Sequence, residues 1–258
     1  MSIYNPFIPR LGPDQACKAR ATAMWRWVQT IMSHYEKAWQ AVAERIDRAA
    51  RDAGRAAGAV RLLAVSKTFP ADAVRAVHAA GQRAFGENHV QEGAAKRQAL
   101  ADLPDVEWHL IGPLQGNKTR LAAATFDWVE SVDRLKIAQR LSAQRPAGLA
   151  PLDVCVQVNV SGEASKSGVA PGEALALALA VADLPRLRLR GIMGIPEPTD
   201  DPAQQRLQFR GLRECLEQCV AAGLPMDTLS MGMSADLEAA IAEGATQVRV
   251  GTAIFGNR

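Results

Sequence analysis

Residues 61–81 read RLLAVSKTFPADAVRAVHAAG. The run LLAV at 62–65 is continuously apolar, which suits a strand buried on both faces of a parallel sheet. Ser66 and Lys67 end that run, and Pro70 precedes a helix-like segment over 71–81. Lysine is rarely buried without a partner, so its place at the end of a core strand calls for an explanation.

The same strand–loop–helix unit recurs along the chain. Further strand-like runs lie at 83–88, 107–112, 127–132, 153–160, 188–195, 227–233 and 247–255. Helix-like segments fall between them, among them 90–100, 133–144, 171–184, 204–223 and 234–244. Strict alternation predicts a parallel sheet. Eight such units in a chain of 258 residues predict a closed barrel. The rival is an open doubly wound sheet, which carries a glycine-rich phosphate loop after its first strand. VSKTFP at 65–70 is no such loop. The expected fold is therefore α/β, a single (β/α)8 TIM barrel over residues 33–258 with an extra helix at its N-terminus.

That helix is predicted to start at Ser33, where Ser33 and Glu36 form a capping box. Tyr35, Trp39, Val42, Ile46 and Ala49 follow at helical spacing up to Gly54. Residues 1–32 contain three prolines, one acidic residue and no clear period. They lack the apolar centre and cleavage site of a secretory signal. They are read as a disordered extension, or as sequence upstream of a true start at Met32.

Composition excludes several functions. With 48% hydrophobic and 22% charged residues the chain is an ordinary globular sequence. A net charge of +3, evenly spread, gives no basic footprint for nucleic acid. No apolar stretch has the length of a membrane span. Cys17, Cys155, Cys215 and Cys219 have no zinc-site spacing and read as reduced thiols of a cytoplasmic protein.

In a barrel of this kind the site lies at the C-terminal strand ends. The unusual residues fall there: Lys67, Glu87 with Asn88, His109 with Gly112, Asn159, Met193, Met231 with Ser234, and Arg249 with Gly251. Gly232 and Ser234 precede a helix, and Gly251 and Thr252 follow the last short strand. Glycine permits close backbone approach, and loops after strands seven and eight often hold phosphate. The competing reading makes Ser234 an N-cap and the glycines simple turns. Lys67 in a desolvated mouth is a candidate amine nucleophile. Lysine and phosphate together suggest an aldehyde bearing a phosphate, either pyridoxal 5′-phosphate (PLP) or a sugar phosphate held as in class I aldolases. Arg249 would favour the former, since a guanidinium can only donate to a pyridine nitrogen. Alone it would pass for a solvated or ion-paired arginine.

AVSKT, FGENHVQE, WHLIGPLQGNKTR, SVDR, VNVSGEASKSG, RGIMGI and LSMGMSADLEAAIAEGATQVRVGTAIFG resemble, in order, the signatures of the pyridoxal-phosphate homeostasis protein family. The last segment is very specific and the shorter ones are individually weak. The resemblance implies a fold similar to the N-terminal barrel of bacterial alanine racemases. It implies that Lys67 holds PLP as an internal aldimine, that Ser234, Gly251 and Thr252 bind its phosphate, and that Arg249 faces the pyridine nitrogen. Asn88 and Met231 would line the ring pocket, with His109 nearby and Lys166 making a further contact to vitamin B6. It also implies a cytoplasmic monomer whose partners are PLP and PLP-dependent apo-enzymes.

Two functions remain: a PLP carrier in vitamin B6 and amino-acid homeostasis, or a PLP-dependent amino-acid racemase. Racemisation needs a base on each face of a carbanion. In alanine racemases the second base is a tyrosine from a second domain. The two tyrosines here, Tyr4 and Tyr35, both precede the barrel, and the sequence ends at Arg258 soon after the last strand. The expectation is a carrier without robust catalysis.

Overall fold

The computed structural model describes residues 13–163 and 167–256, with side chains from Ser33 onward. Eight strands close into a barrel in chain order. They are β1 (Arg61–Val65), β2 (Ala84–Glu87), β3 (Glu107–Leu110), β4 (Trp128–Val132), β5 (Leu152–Val158), β6 (Leu187–Gly194), β7 (Thr228–Ser230) and β8 (Gln247–Val250). Every neighbouring pair is parallel, and β1 closes on β8 with Leu63 opposite Arg249. Each expected strand is present.

The helices are α1 (Pro13–Asp52), α2 (Ala71–Ala79), α3 (Val90–Ala99), α4 (Thr119–Thr125), α5 (Leu135–Gln144), α6 (Ala174–Ala182), α7 (Pro202–Ala221), α8 (Leu237–Ala242) and α9 (Thr252–Phe255). The main core lies between sheet and helices: Phe85, Trp108, Val129, Val154, Ile192 and Val248 pack outward against Val74, Phe126, Ile137, Leu212 and Ile241. Residues that alternate with these face the barrel interior. Cys215 and Cys219 are buried and free in α7, as expected of core thiols.

Three boundaries differ from the sequence reading. Helix α1 does not begin at Ser33 but runs through it from Pro13. No proline or glycine lies between Pro13 and Asp52, so a capping pattern alone does not interrupt the helix. The last strand was expected to run to 255. It ends at Val250, and Ile254 and Phe255 turn back as α9 to pack beneath Tyr35 and Phe69. A short apolar run does not distinguish strand from helix. Helix α8 starts at Leu237 with Asp236 in the cap position, so Ser234 is not its N-cap.

The described part of α1 lies across α2, α8 and α9. Val42, Ile46, Ala49 and Ala50 are buried there. The expectation about residues 1–32 falls on 1–12, which lie outside the described residues, and on 13–32, of which only the backbone is described.

Candidate functional site

A cavity of about 530 Å³ opens at the C-terminal ends of the strands. Lys67, Asn88, Ser234, Arg249, Gly251 and Thr252 all line it, brought from four strand ends. Val65, Gly112, Gln157, Ser167 and Met233 contribute to its wall. Among the described residues the Lys67 amine and the Ser234 and Thr252 hydroxyls have no hydrogen-bond partner, so all three are available to a ligand.

Lys67 is half-buried just beyond β1, where the sequence reading placed it in a desolvated mouth. Ser234 sits on a tight loop. Gly232 has φ +91°, and a Cβ there would lie 2.5 Å from the Ala240 Cβ, so glycine is required. The Met233 N–H donates to Asp236 Oδ1 at 2.6 Å. Arg45 of α1 ties the same loop from outside, donating to the Ser234 carbonyl at 2.8 Å and to both Glu238 oxygens at 2.5 and 2.6 Å. Gly251 has an ordinary negative φ, so its freedom lies in space: a Cβ would sit 3.2 Å from the Val65 carbonyl.

Arg249 is 3% exposed. It donates to the Gly194 carbonyl at 2.7 Å and to Ser230 Oγ at 2.8 Å. Burial lowers its pKa, and the charge of Glu130 opposes that shift. It is buried and, among the described residues, has no direct ion-pair partner, unlike a solvated or ion-paired strand-end arginine.

Two of the expected cofactor-binding residues, His109 and Met231, do not line this cavity. His109 is fully buried in mid-strand, level with Gly86 and Trp128, below the residues Ile111 and Gly112 that reach the mouth. It bridges Glu130 at 2.6 Å and Glu107 at 2.5 Å and stacks on Trp128 at 5.0 Å. Met231 faces the helices, because the pleat alternates and Ser230 is the β7 residue that faces inward. Met233, beyond the turn at Gly232, lines the cavity instead. Of the other strand-end residues, Glu87 and Met193 are buried off the mouth, and the Asn159 amide bonds the Glu163 carbonyl at 2.9 Å. Lys166 lies outside the described residues. Its neighbour Ser167 reaches the cavity wall, where the Gln157 amide donates to its carbonyl at 3.0 Å. The contributions of Ser167 and Gln157 had no signal in the sequence, since they depend on how the loop after β5 folds back.

Beneath the mouth lies a closed ionic floor. Glu130 accepts from Ser230 at 2.5 Å and from Gln247 at 2.8 Å, and Glu107 pairs with Arg61 at 2.9 Å. Burial disfavours the His109 charge, but hydrogen bonds to Glu107 and Glu130 outweigh it and raise the His109 pKa. Burial likewise opposes the Glu107 charge, yet His109 and Arg61 hold it down at about 2. Glu130 is lowered for the same reason, its hydrogen bond with His109 overcoming burial.

A sequence profile of the alanine racemase N-terminal domain matches residues 38–258. The pyridoxal phosphate homeostasis protein of Pseudomonas aeruginosa is 65% identical over 217 residues, covering 84% of this chain and 93% of that protein. The chain belongs to the pyridoxal phosphate homeostasis protein family. Its fold is that family's barrel. The structure of PipY from Synechococcus elongatus with PLP bound superposes with a TM-score of 0.72 at 39% identity, covering 83% of this chain and all of that one. Alanine racemase of Corynebacterium glutamicum, at 20% identity and a TM-score of 0.62, shares the fold. Among the described residues no helix is long and apolar enough to cross a membrane, and no cluster of His, Cys, Asp and Glu is arranged to hold a metal.

Proposed function

We propose that this chain binds PLP in the barrel mouth, holds it as a Schiff base on Lys67, and serves vitamin B6 and amino-acid homeostasis as a carrier rather than a catalyst. The observation that carries this reading is the convergence on one cavity of an amine, two unpartnered hydroxyls, a glycine at close backbone approach and a buried guanidinium. That donor set fits the group. Thr252, Ser234 and the backbone at Gly251 would hold the phosphate, Arg249 would donate to the ring nitrogen, and Asn88 would flank the ring. When bound, PLP supplies an aldehyde with which a lysine amine condenses.

The same lining argues for a carrier. Among the described residues of the cavity there is no Tyr, His, Asp, Glu or Cys, so Lys67 is the one candidate base. A guanidinium stays protonated. Tyr35 packs on Phe255 outside the barrel. Among the described residues of the wall none supplies a second base for the opposite face, which favours the carrier over the racemase reading. The naming of the PLP homeostasis relatives favours the same reading, and the PLP-bound PipY supports binding of the cofactor. On this reading the protein is a cytoplasmic monomer that passes PLP to apo-enzymes through its open mouth, with Lys166 as a further contact.

The test is an absorption spectrum with α-proton exchange. The wild type with PLP should show a visible band that borohydride removes and that Lys67→Ala never forms. Exchange of the α-proton of alanine and other amino acids in deuterated water should stay far below about 1 per second. Faster exchange, abolished by Lys67→Ala, would replace the carrier with a single-domain enzyme.

A further inference from the structure

Lys67 carries the proposed chemistry, yet the polar grip on its loop acts on its two neighbours. Lys96, on α3 outside the barrel, is 6% exposed. Its ammonium donates to the Ser66 carbonyl at 2.7 Å, to Glu87 Oε1 at 2.7 Å and to Glu92 Oε1 at 2.8 Å. The Ser66 hydroxyl donates to the same Glu87 oxygen at 2.6 Å. On the other side, the Thr68 N–H donates to Glu92 Oε1. Thr68 stands at φ +67°, a left-handed conformation that a threonine keeps only when its surroundings impose it. The peptide groups before and after Lys67 are thus both anchored to one buried cluster.

None of Lys96, Glu87 and Glu92 lines the mouth. Glu87 is fully buried and its second oxygen has no partner, so Lys96 is its one ion-pair partner among the described residues. Burial raises the Glu87 pKa while Lys96 and Ser66 oppose the shift.

We propose that Lys96, with Glu87 and Glu92, forms a positioning cluster that fixes the backbone at Lys67 and so presents its amine to the mouth. The inference rests on the reading of Lys67 as the covalent attachment point. A lysine has a flexible four-carbon stem, and fixing its root narrows the volume its amine explores. The step served is condensation: a C–N bond forms, the aldehyde oxygen leaves as water, and no electron is gained or lost. Misplacement by an ångström slows such a step without altering how the phosphate and ring are held.

The experiment compares PLP with pyridoxine 5′-phosphate, which carries an alcohol in place of the aldehyde. Lys96→Met should slow the appearance of the visible band about tenfold. Its affinity for pyridoxine 5′-phosphate should stay within about twofold of wild type, with folding checked by circular dichroism. Glu92→Ala, at a partly exposed position, should slow the band about threefold. Glu92→Gln, which still accepts from Thr68, should behave as wild type. Should Lys96→Met not fold, the Glu92 pair decides. Unchanged rates in the folded variants, or a parallel loss of pyridoxine 5′-phosphate binding, would overturn the positioning role. A wild type without any band would instead overturn the Lys67 reading, and this inference with it.

Discussion

Inside the barrel, beneath the mouth, Arg61, Glu107, His109, Glu130, Ser230 and Gln247 satisfy one another. At the mouth, where the strands end, the polar ends of Lys67, Ser234 and Thr252 find no partner among the described residues. Both regions put ionisable or polar side chains inside the same eight strands. The difference is satisfaction. A buried group whose hydrogen bonds are all answered by the protein is structure, whereas one left facing a cavity is available to a ligand. Arg249 belongs to both, since it bonds Ser230 of the floor network and also lines the mouth.

The sharpest way to break this comparison is to disturb the floor alone. His109→Gln leaves the Glu130 carboxylate buried without its cation. Removing one partner of a buried pair costs about 3–5 kcal/mol. The His109 pKa is raised from 6.5, so its contribution is whole below that value and fades as pH rises through the folded pKa. The Glu107 pKa is lowered from 4.5 to about 2, so its contribution is whole above 4.5 and fades as pH falls toward 2. The stability gap between wild type and variant, measured by urea unfolding across pH, should therefore be widest between 4.5 and 6.5. PLP affinity should change much less than stability. A variant of normal stability that no longer binds PLP would make His109 part of the mouth after all.

A smaller effect sharpens the other side. Gly251→Val places a Cβ 3.2 Å from the Val65 carbonyl and blocks backbone approach at the mouth. PLP affinity should fall about tenfold, or about 1.4 kcal/mol. Thr252→Ser keeps the hydroxyl and should stay within about threefold. Thr252→Ser should unfold like wild type, whereas Gly251→Val also crowds the Val65 carbonyl and should lose some stability while still folding. Equal and negligible effects on affinity would put the phosphate elsewhere.

What the sequence disclosed follows the same division. The barrel was legible because parallel strands buried on both faces read as apolar runs, such as LLAV and, interrupted only by Gln157, VCVQV, punctuated by helix. The mouth was legible where a residue follows the last strand position, as Lys67, Asn88 and Gly251 do. His109 and Met231 misled because depth along a strand and the parity of the pleat decide which layer a side chain enters, and a motif shows neither. The floor was invisible for a further reason. Glu130 reaches Ser230 and Gln247 across 100 and 117 positions of sequence, and closure of the barrel alone brings them together. Lys96 was hidden likewise, since on α3 it reads as one more solvated helix cation.

The smallest expected effect concerns the two halves of α1. Its C-terminal half is woven into the barrel. Tyr35 packs on Phe255, the Trp39 indole donates to Gln82 at 3.0 Å, and Arg45 holds the loop of Ser234. The family profile begins at residue 38, and the Pseudomonas relative matches 84% of the chain. Residues 13–32 bring no clear apolar period to this helix. Extending a helix beyond its packed face adds little, because tertiary burial and not backbone propagation supplies most helical stability in a protein. Deleting residues 1–32 should therefore leave Tm within about 2 °C, well under 1 kcal/mol for a domain of this size. PLP affinity should be unchanged, since the mouth is tied to α1 through Arg45, downstream of the cut. A large loss of Tm would show that the first half of the helix is as much part of the barrel as the second.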